Sequence, residues 1–182
     1  MREYEIEVSR LKEKITSLDV GDKVYLTGTV YTARDAAHMR IFECLENKTV
    51  LPFEINGAVI YYAGPTPEKP DGTQGSFGPT TSARMDRFSP RLLDMGLLAM
   101  IGKGNRSEEV IEAIKRNNAV YFCAGGGLGA LISKSIKSVQ VIAFPELGCE
   151  SVKKLYVERF PLVVAVDSKG NSIFVREKNE HR

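Results

Sequence analysis

From Lys23 to Tyr31 (KVYLTGTVY) the chain alternates polar and apolar β-formers, which predicts a strand after the turn-rich Leu18–Asp22. Arg34–Asn47 changes period. Ala37, Ile41, Cys44 and Leu45 recur at three- and four-residue steps, the pattern of a helix with one buried face. A short apolar strand follows at Val59–Tyr62, and then a long loop, Ala63–Thr81, rich in Gly, Pro and Thr. Loops of that length inside a compact domain are uncommon and usually functional or disordered; this one is read as functional. A helix is expected from Thr80 or Thr81, with Met85, Phe88, Leu92 and Leu93 inward. Further strands are expected at Leu97–Ile101, Val120–Ala124 and Val139–Phe144, with helices from Ser107 and over Leu128–Ile136. Ser107 is placed to cap its helix, and Glu108 and Glu109 suit the first turn. Leu155–Arg159 and Leu162–Val166 read as two late strands. Asp167–Asn171 reads as a turn toward a last one at Ile173–Val175. Alternating strands and helices predict an α/β fold.

With 182 residues the chain fits one domain, 1–182, with 1–19 as an N-terminal extension and 176–182 as a polar tail. Its formal charge of +2 provides no global field for nucleic acid or an anionic membrane. Basic residues are scattered among loops without interleaved stacking aromatics, which also argues against nucleic acid. No apolar run approaches the ~20 residues that span a bilayer, and the charged start Met1–Arg10 is unlike a secretory signal, so a cytoplasmic address is expected. Cys44, Cys123 and Cys149 are too few and too far apart for a disulfide scaffold or a self-contained metal cluster.

Candidate chemistry gathers in four loops, each after a strand. Gly78–Arg84 offers a turn, Thr80 or Thr81 as a cap, free backbone N–H groups, and Arg84 one turn on to fork a carboxylate; the alternative is a capped helix with an exposed arginine. Lys103 stands between two glycines, either in a site or in a solvated turn. Arg34 opens a helix, where a cation opposes the dipole and calls for an anion nearby; Asp35 and His38 are read as helix-end structure rather than as a catalytic pair. Gly125–Ala130 satisfies the dinucleotide fingerprint G-x-G-x-x-[GA]. Too little chain follows to complete that fold, so close packing or an amide-rich anion wall explains the glycines more simply.

GTVYTARDAAH (Gly28–His38), GPTTSARMD (Gly78–Asp86), GKGNRS (Gly102–Ser107) and FPELGCES (Phe144–Ser151), in order and spacing from about Gly21 to Gly170, resemble the β, or C-terminal-type, part of class I fumarate hydratases. They also resemble the related L(+)-tartrate dehydratases. The resemblance implies a swivelling three-layer β/β/α domain with a mixed parallel and antiparallel sheet. It implies a cytoplasmic tricarboxylic-acid-cycle hydro-lyase that is active only with an α subunit, two of each subunit assembling together, and self-association of the isolated chain. The partner's cysteines would hold a 4Fe–4S cluster, and this chain alone would bind none. Carried over by position, Arg34, Arg84 and Lys103 bind a dicarboxylate, and Thr80 is the base at C3 or only orients a carboxylate. The reaction implied is reversible loss of water from (S)-malate. The GKGNRS loop leans toward fumarate. Tartrate as substrate, or a non-catalytic module binding a dicarboxylate or NAD, are the other readings.

Overall fold

The structure, a computed structural model, describes residues 1–66, 69–72, 75–125 and 129–175. The elements run β1 (Glu3–Glu7), α1 (Val8–Lys14), β2 (Lys23–Thr32), α2 (Asp35–Asn47), β3 (Val59–Tyr61), α3 (Ser89–Asp94), β4 (Ala99–Gly102), α4 (Glu108–Arg116), β5 (Val120–Cys123), α5 (Gly129–Ser135), β6 (Ile136–Ala143) and β7 (Val152–Val166). Short 3-10 turns cover Ile15–Ser17, Ser82–Met85 and Pro145–Glu150.

The strands are ordered β1-β2-β3-β4-β5-β7-β6, and β2 also pairs with β7, so that β2, β3, β4, β5 and β7 close a ring. β1 to β5 pair in parallel, whereas β7 runs antiparallel to β2, β5 and β6. Period-two alternation divides the apolar residues between two cores. Val59, Tyr61, Ile101, Val120 and Phe122 meet Leu26, Leu155, Phe160 and Val164 inside the ring. Ile60, Met100 and Tyr121 face the other way, against Ala37 and Ile41 of α2, Leu92 and Leu93 of α3, and Val110, Ala113 and Ile114 of α4. Ring wall, ring wall and helices make up the three layers of a mixed α/β fold with parallel and antiparallel pairing.

Three local expectations are corrected. The helix expected from Thr80 is a 3-10 turn followed by α3, because Pro90 suits the first turn of a new helix; Met85, Phe88, Leu92 and Leu93 are nevertheless all buried. The two late strands are one, β7, interrupted by a bulge opposite Leu26–Gly28 where Arg159 takes φ 51° and its N–H bonds Thr27 Oγ1 at 3.0 Å. The strand expected at Ile173–Val175 is reduced to a Val166–Ser172 bridge. Asp167 gathers the N–H groups of Lys169 and Asn171, each at 3.0 Å, and Ser172 then starts a helical turn through Phe174 N–H at 3.3 Å. In addition, the N-terminal segment contributes β1, paired with β2 over Glu3–Glu7. Gly126–Leu128 and residues 176–182 lie outside the described residues.

Candidate active site

Parallel pairing carries the carboxyl ends of β2, β3, β4 and β5 to one edge. Thr32 lies beside Tyr61, Tyr61 beside Ile101, and Ile101 beside Phe122. One step on, the backbone continues the sheet: Ala33 N–H bonds Tyr61 O at 3.1 Å, Tyr62 N–H bonds Ile101 O at 2.8 Å, and Ala124 N–H bonds Gly102 O at 3.0 Å. The loops with Arg34, Thr80, Arg84 and Lys103 therefore start from neighbouring strand ends, the carboxyl-terminal edge at which parallel α/β sheets, open or closed, collect ligands.

Thr80 is held by its own N–H, 2.7 Å from Tyr62 O. Thr81 then bridges to Lys103, and Ser82 N–H reaches Lys103 O at 2.9 Å, so the Gly78–Arg84 loop is laid along the residue that follows β4. Lys103 and Arg84 are exposed, and Arg34 and Thr80 are half-buried. Lys103 also lines an open cavity of about 490 Å³ with Lys23, Tyr25, Gly104, Cys123 and Gly125.

Arg84 is anchored from the far side. Its Nε donates to Asp35 Oδ1 at 3.2 Å and its Nη2 lies 3.0 Å from Asp35 Oδ2, which accepts no hydrogen bond, so one bond and one charge contact join the start of α2 to the Ser82–Met85 turn. The N-cap residue of α2, Arg34, makes no capping bond with its own side chain. Asp35 is its first residue and spends its carboxylate on Arg84.

Arg34 sits at the N-cap of α2, and the anion that its position calls for is Glu150. The Glu150 carboxylate lies 3.9 Å from Arg34 Nε and accepts Ala36 N–H at 3.3 Å. Arg34 Nε is buried without a hydrogen-bond partner. The side chain crosses Gly64, where any Cβ would stand 2.8 Å from Nη1 and 2.9 Å from Cδ, so only glycine leaves the guanidinium its path. Sequence reasoning missed Gly64 and Glu150; the second lies in FPELGCES, which could have signalled it.

His38 is fully buried and hydrogen-bonds Arg34 O through Nδ1 at 2.7 Å. A carbonyl only accepts, so Nδ1 carries the proton. Burial pushes the imidazole pKa down to about 4, and the nearby Arg106 cation acts in the same direction. Asp35 and His38 thus take different partners and support the site from behind.

The floor is polar and buried. Arg106, with its side chain wholly inaccessible, donates to Asp86 Oδ1 at 2.7 Å, Ser89 Oγ at 2.7 Å and Tyr62 Oη at 3.2 Å, and Asp86 Oδ2 receives Ser107 N–H at 2.8 Å. The motif GKGNRS therefore supplies both an exposed cation and a buried one.

Among the described residues, no three of His, Cys, Asp and Glu gather as a metal site. The cysteines are apart, Cys44 in α2, Cys123 in β5 and Cys149 in the Pro145–Glu150 turn, so the described residues do not fit a 4Fe–4S cluster of their own. After β5 the chain turns to antiparallel β6 and β7, which does not continue a dinucleotide fold.

A sequence model of the family described as Fumarase C-terminus matches residues 1–177. A putative L(+)-tartrate dehydratase subunit beta from Methanocaldococcus jannaschii is 43% identical over 169 residues, 90% of this chain and 87% of that protein. Fumarate hydratase 2 of Leishmania major is 41% identical over 170 residues, 92% of this chain but 30% of its own length. The L(+)-tartrate dehydratase subunit beta of Escherichia coli is 33% identical over 172 residues, 91% and 84% of the two chains. The chain thus spans under a third of that fumarate hydratase and most of each beta subunit.

Proposed function

Because the chain belongs to the Fumarase C-terminus family, we propose that it is the β subunit of a two-subunit iron–sulfur hydro-lyase that interconverts (S)-malate and fumarate. One observation carries the reading. Arg34, Thr80, Arg84 and Lys103 stand on loops from adjacent strand ends, along an edge where Lys103 and Arg84 remain open to a second chain.

A C4 dicarboxylate brings two negative charges, and loss of its C3 proton moves more charge onto the neighbouring carboxylate. Cations fixed in advance favour that state over the ground state. Arg84, already gripped by Asp35, offers its remaining N–H groups to one carboxylate. Lys103 and Arg34 add charge from either side. The C3 proton passes to the Thr80 alkoxide, a form these cations stabilise, leaving the hydroxyl, and the C2 hydroxyl leaves as water with a proton from the partner chain. In this reading the 4Fe–4S cluster belongs to the partner, two of each chain assemble, and the setting is cytoplasmic.

Tartrate is the second reading, favoured by the 43% identity to a protein named as a tartrate dehydratase subunit. Anaerobic reconstitution with a cognate cluster-bearing chain separates the two. We expect kcat/KM for (S)-malate to exceed that for L(+)-tartrate by about a hundredfold, the cost of fitting one additional hydroxyl. The reverse ratio assigns the chain to tartrate.

A further inference from the structure

We propose that Tyr121 is a positioning residue whose phenol staples the Gly78–Arg84 loop to the Gly102–Gly104 loop, fixing Thr80 and Arg84 relative to Lys103. Tyr121 projects from β5 toward the helices and is fully buried. Its oxygen lies 2.8 Å from Gly104 O and 2.7 Å from Ser82 Oγ. The carbonyl can only accept, so the phenol donates to Gly104 and the Ser82 hydroxyl donates to the phenol oxygen. One hydroxyl thereby closes on both loops, one residue beyond Lys103 and two beyond Thr80.

The surroundings leave the phenol little freedom. The Arg106 guanidinium lies over the ring at 4.8 Å, and Cys123 Sγ is 3.6 Å from the hydroxyl. At Gly102 any Cβ would stand 1.9 Å from Ser82 Oγ and 2.9 Å from the Tyr62 ring, so the strand end is bare where the staple passes. Burial raises the phenol pKa, which keeps the donor proton in place. The bond in register with the staple is Ser82 N–H to Lys103 O. Removing the phenol oxygen strips Gly104 O and Ser82 Oγ of a buried partner at once, a loss felt first at that backbone bond.

The catalytic consequence rests on the proposed function; the staple itself does not. Hydrogen exchange on the full chain therefore comes first. In Tyr121→Phe and in Ser82→Ala we expect the backbone amide at position 82 to exchange about tenfold faster, relative to the intrinsic rate of the residue there, the effect of losing one buried hydrogen bond. The Leu98 amide, bonded to Ala58 O at the other end of the sheet, should keep its rate. A control, Ile114→Val in the helix-side core, should leave the Ser82 amide unchanged. The double variant should be no faster than either single one, since both remove the same link. In the reconstituted pair, both variants should lose about tenfold or more in kcat while Ile114→Val loses none. Unchanged protection of the amide at position 82 in both variants overturns the staple, and faster exchange with undiminished kcat overturns its positioning role. An inactive wild-type pair refutes the hydro-lyase reading instead, and the exchange rates still decide the staple.

Discussion

Arg84 and His38 show how much a single side chain can report. Arg84 is more than half exposed, so its pair with Asp35 adds little to stability. Replacing it should therefore leave the fold alone. We expect Arg84→Met to unfold at the wild-type temperature and to lose kcat/KM about a hundredfold or more in the reconstituted pair, since a charged contact made in the transition state is removed. Unchanged kinetics would remove Arg84 from the site. His38 works in the opposite sense, invisible to substrate but coupled to stability. Its folded pKa of about 4 lies below the ordinary 6.5, so between those values the unfolded chain binds a proton that the folded chain refuses. Stability is then complete above about pH 6.5 and falls as pH drops toward 4. The total is about 3 kcal/mol. Denaturant midpoints from pH 7 to 4 should follow this slope in the wild type and flatten in His38→Asn; an equal slope in both would refute it. Below that window the lowered carboxylates Asp19 and Asp22 take over.

At the level of elements, Ser107 is the simplest test of local reading. Its hydroxyl accepts Val110 N–H at 3.3 Å as the cap of α4, so Ser107→Ala should cost about 1 kcal/mol in chemical denaturation with no change in the site. A cost near zero would mean that the Ser107 N–H bond to Asp86 alone holds the helix start. This cap was legible because capping chemistry is local, and so were β2, α2 and the buried strands, whose periods follow from facing one core or two. Other features needed tertiary information. β1 hides as Glu3–Glu7 because it exposes three glutamates and buries Ile6. The bulge at Arg159 splits β7 in the sequence but not in space, since Thr27 satisfies the freed N–H. Of the candidate site, the three cations and the one hydroxyl could be named from the resemblance. The Asp35–Arg84 ion pair, the Glu150 contact and the Tyr121 staple join residues far apart along the chain, and no local period announces them.

For the whole molecule, the decisive feature is an edge that is furnished but open. Four parallel strand ends deliver polar loops to one side of a closed ring whose two cores are otherwise filled. Three cations at such an edge repel one another unless anions meet them. Asp35 and Glu150 neutralise only the inner side of this group, through Arg84 and Arg34. In the proposed reading, the outer side takes a dianionic substrate between this surface and another chain. We therefore expect this chain to turn nothing over alone. The most direct measurement is fumarate formation from (S)-malate by this chain, by a cognate cluster-bearing chain, and by the two mixed without oxygen. Activity should arise only in the mixture and decay on exposure to air. Turnover by this chain by itself, in aerated buffer free of iron, would contradict the half-site.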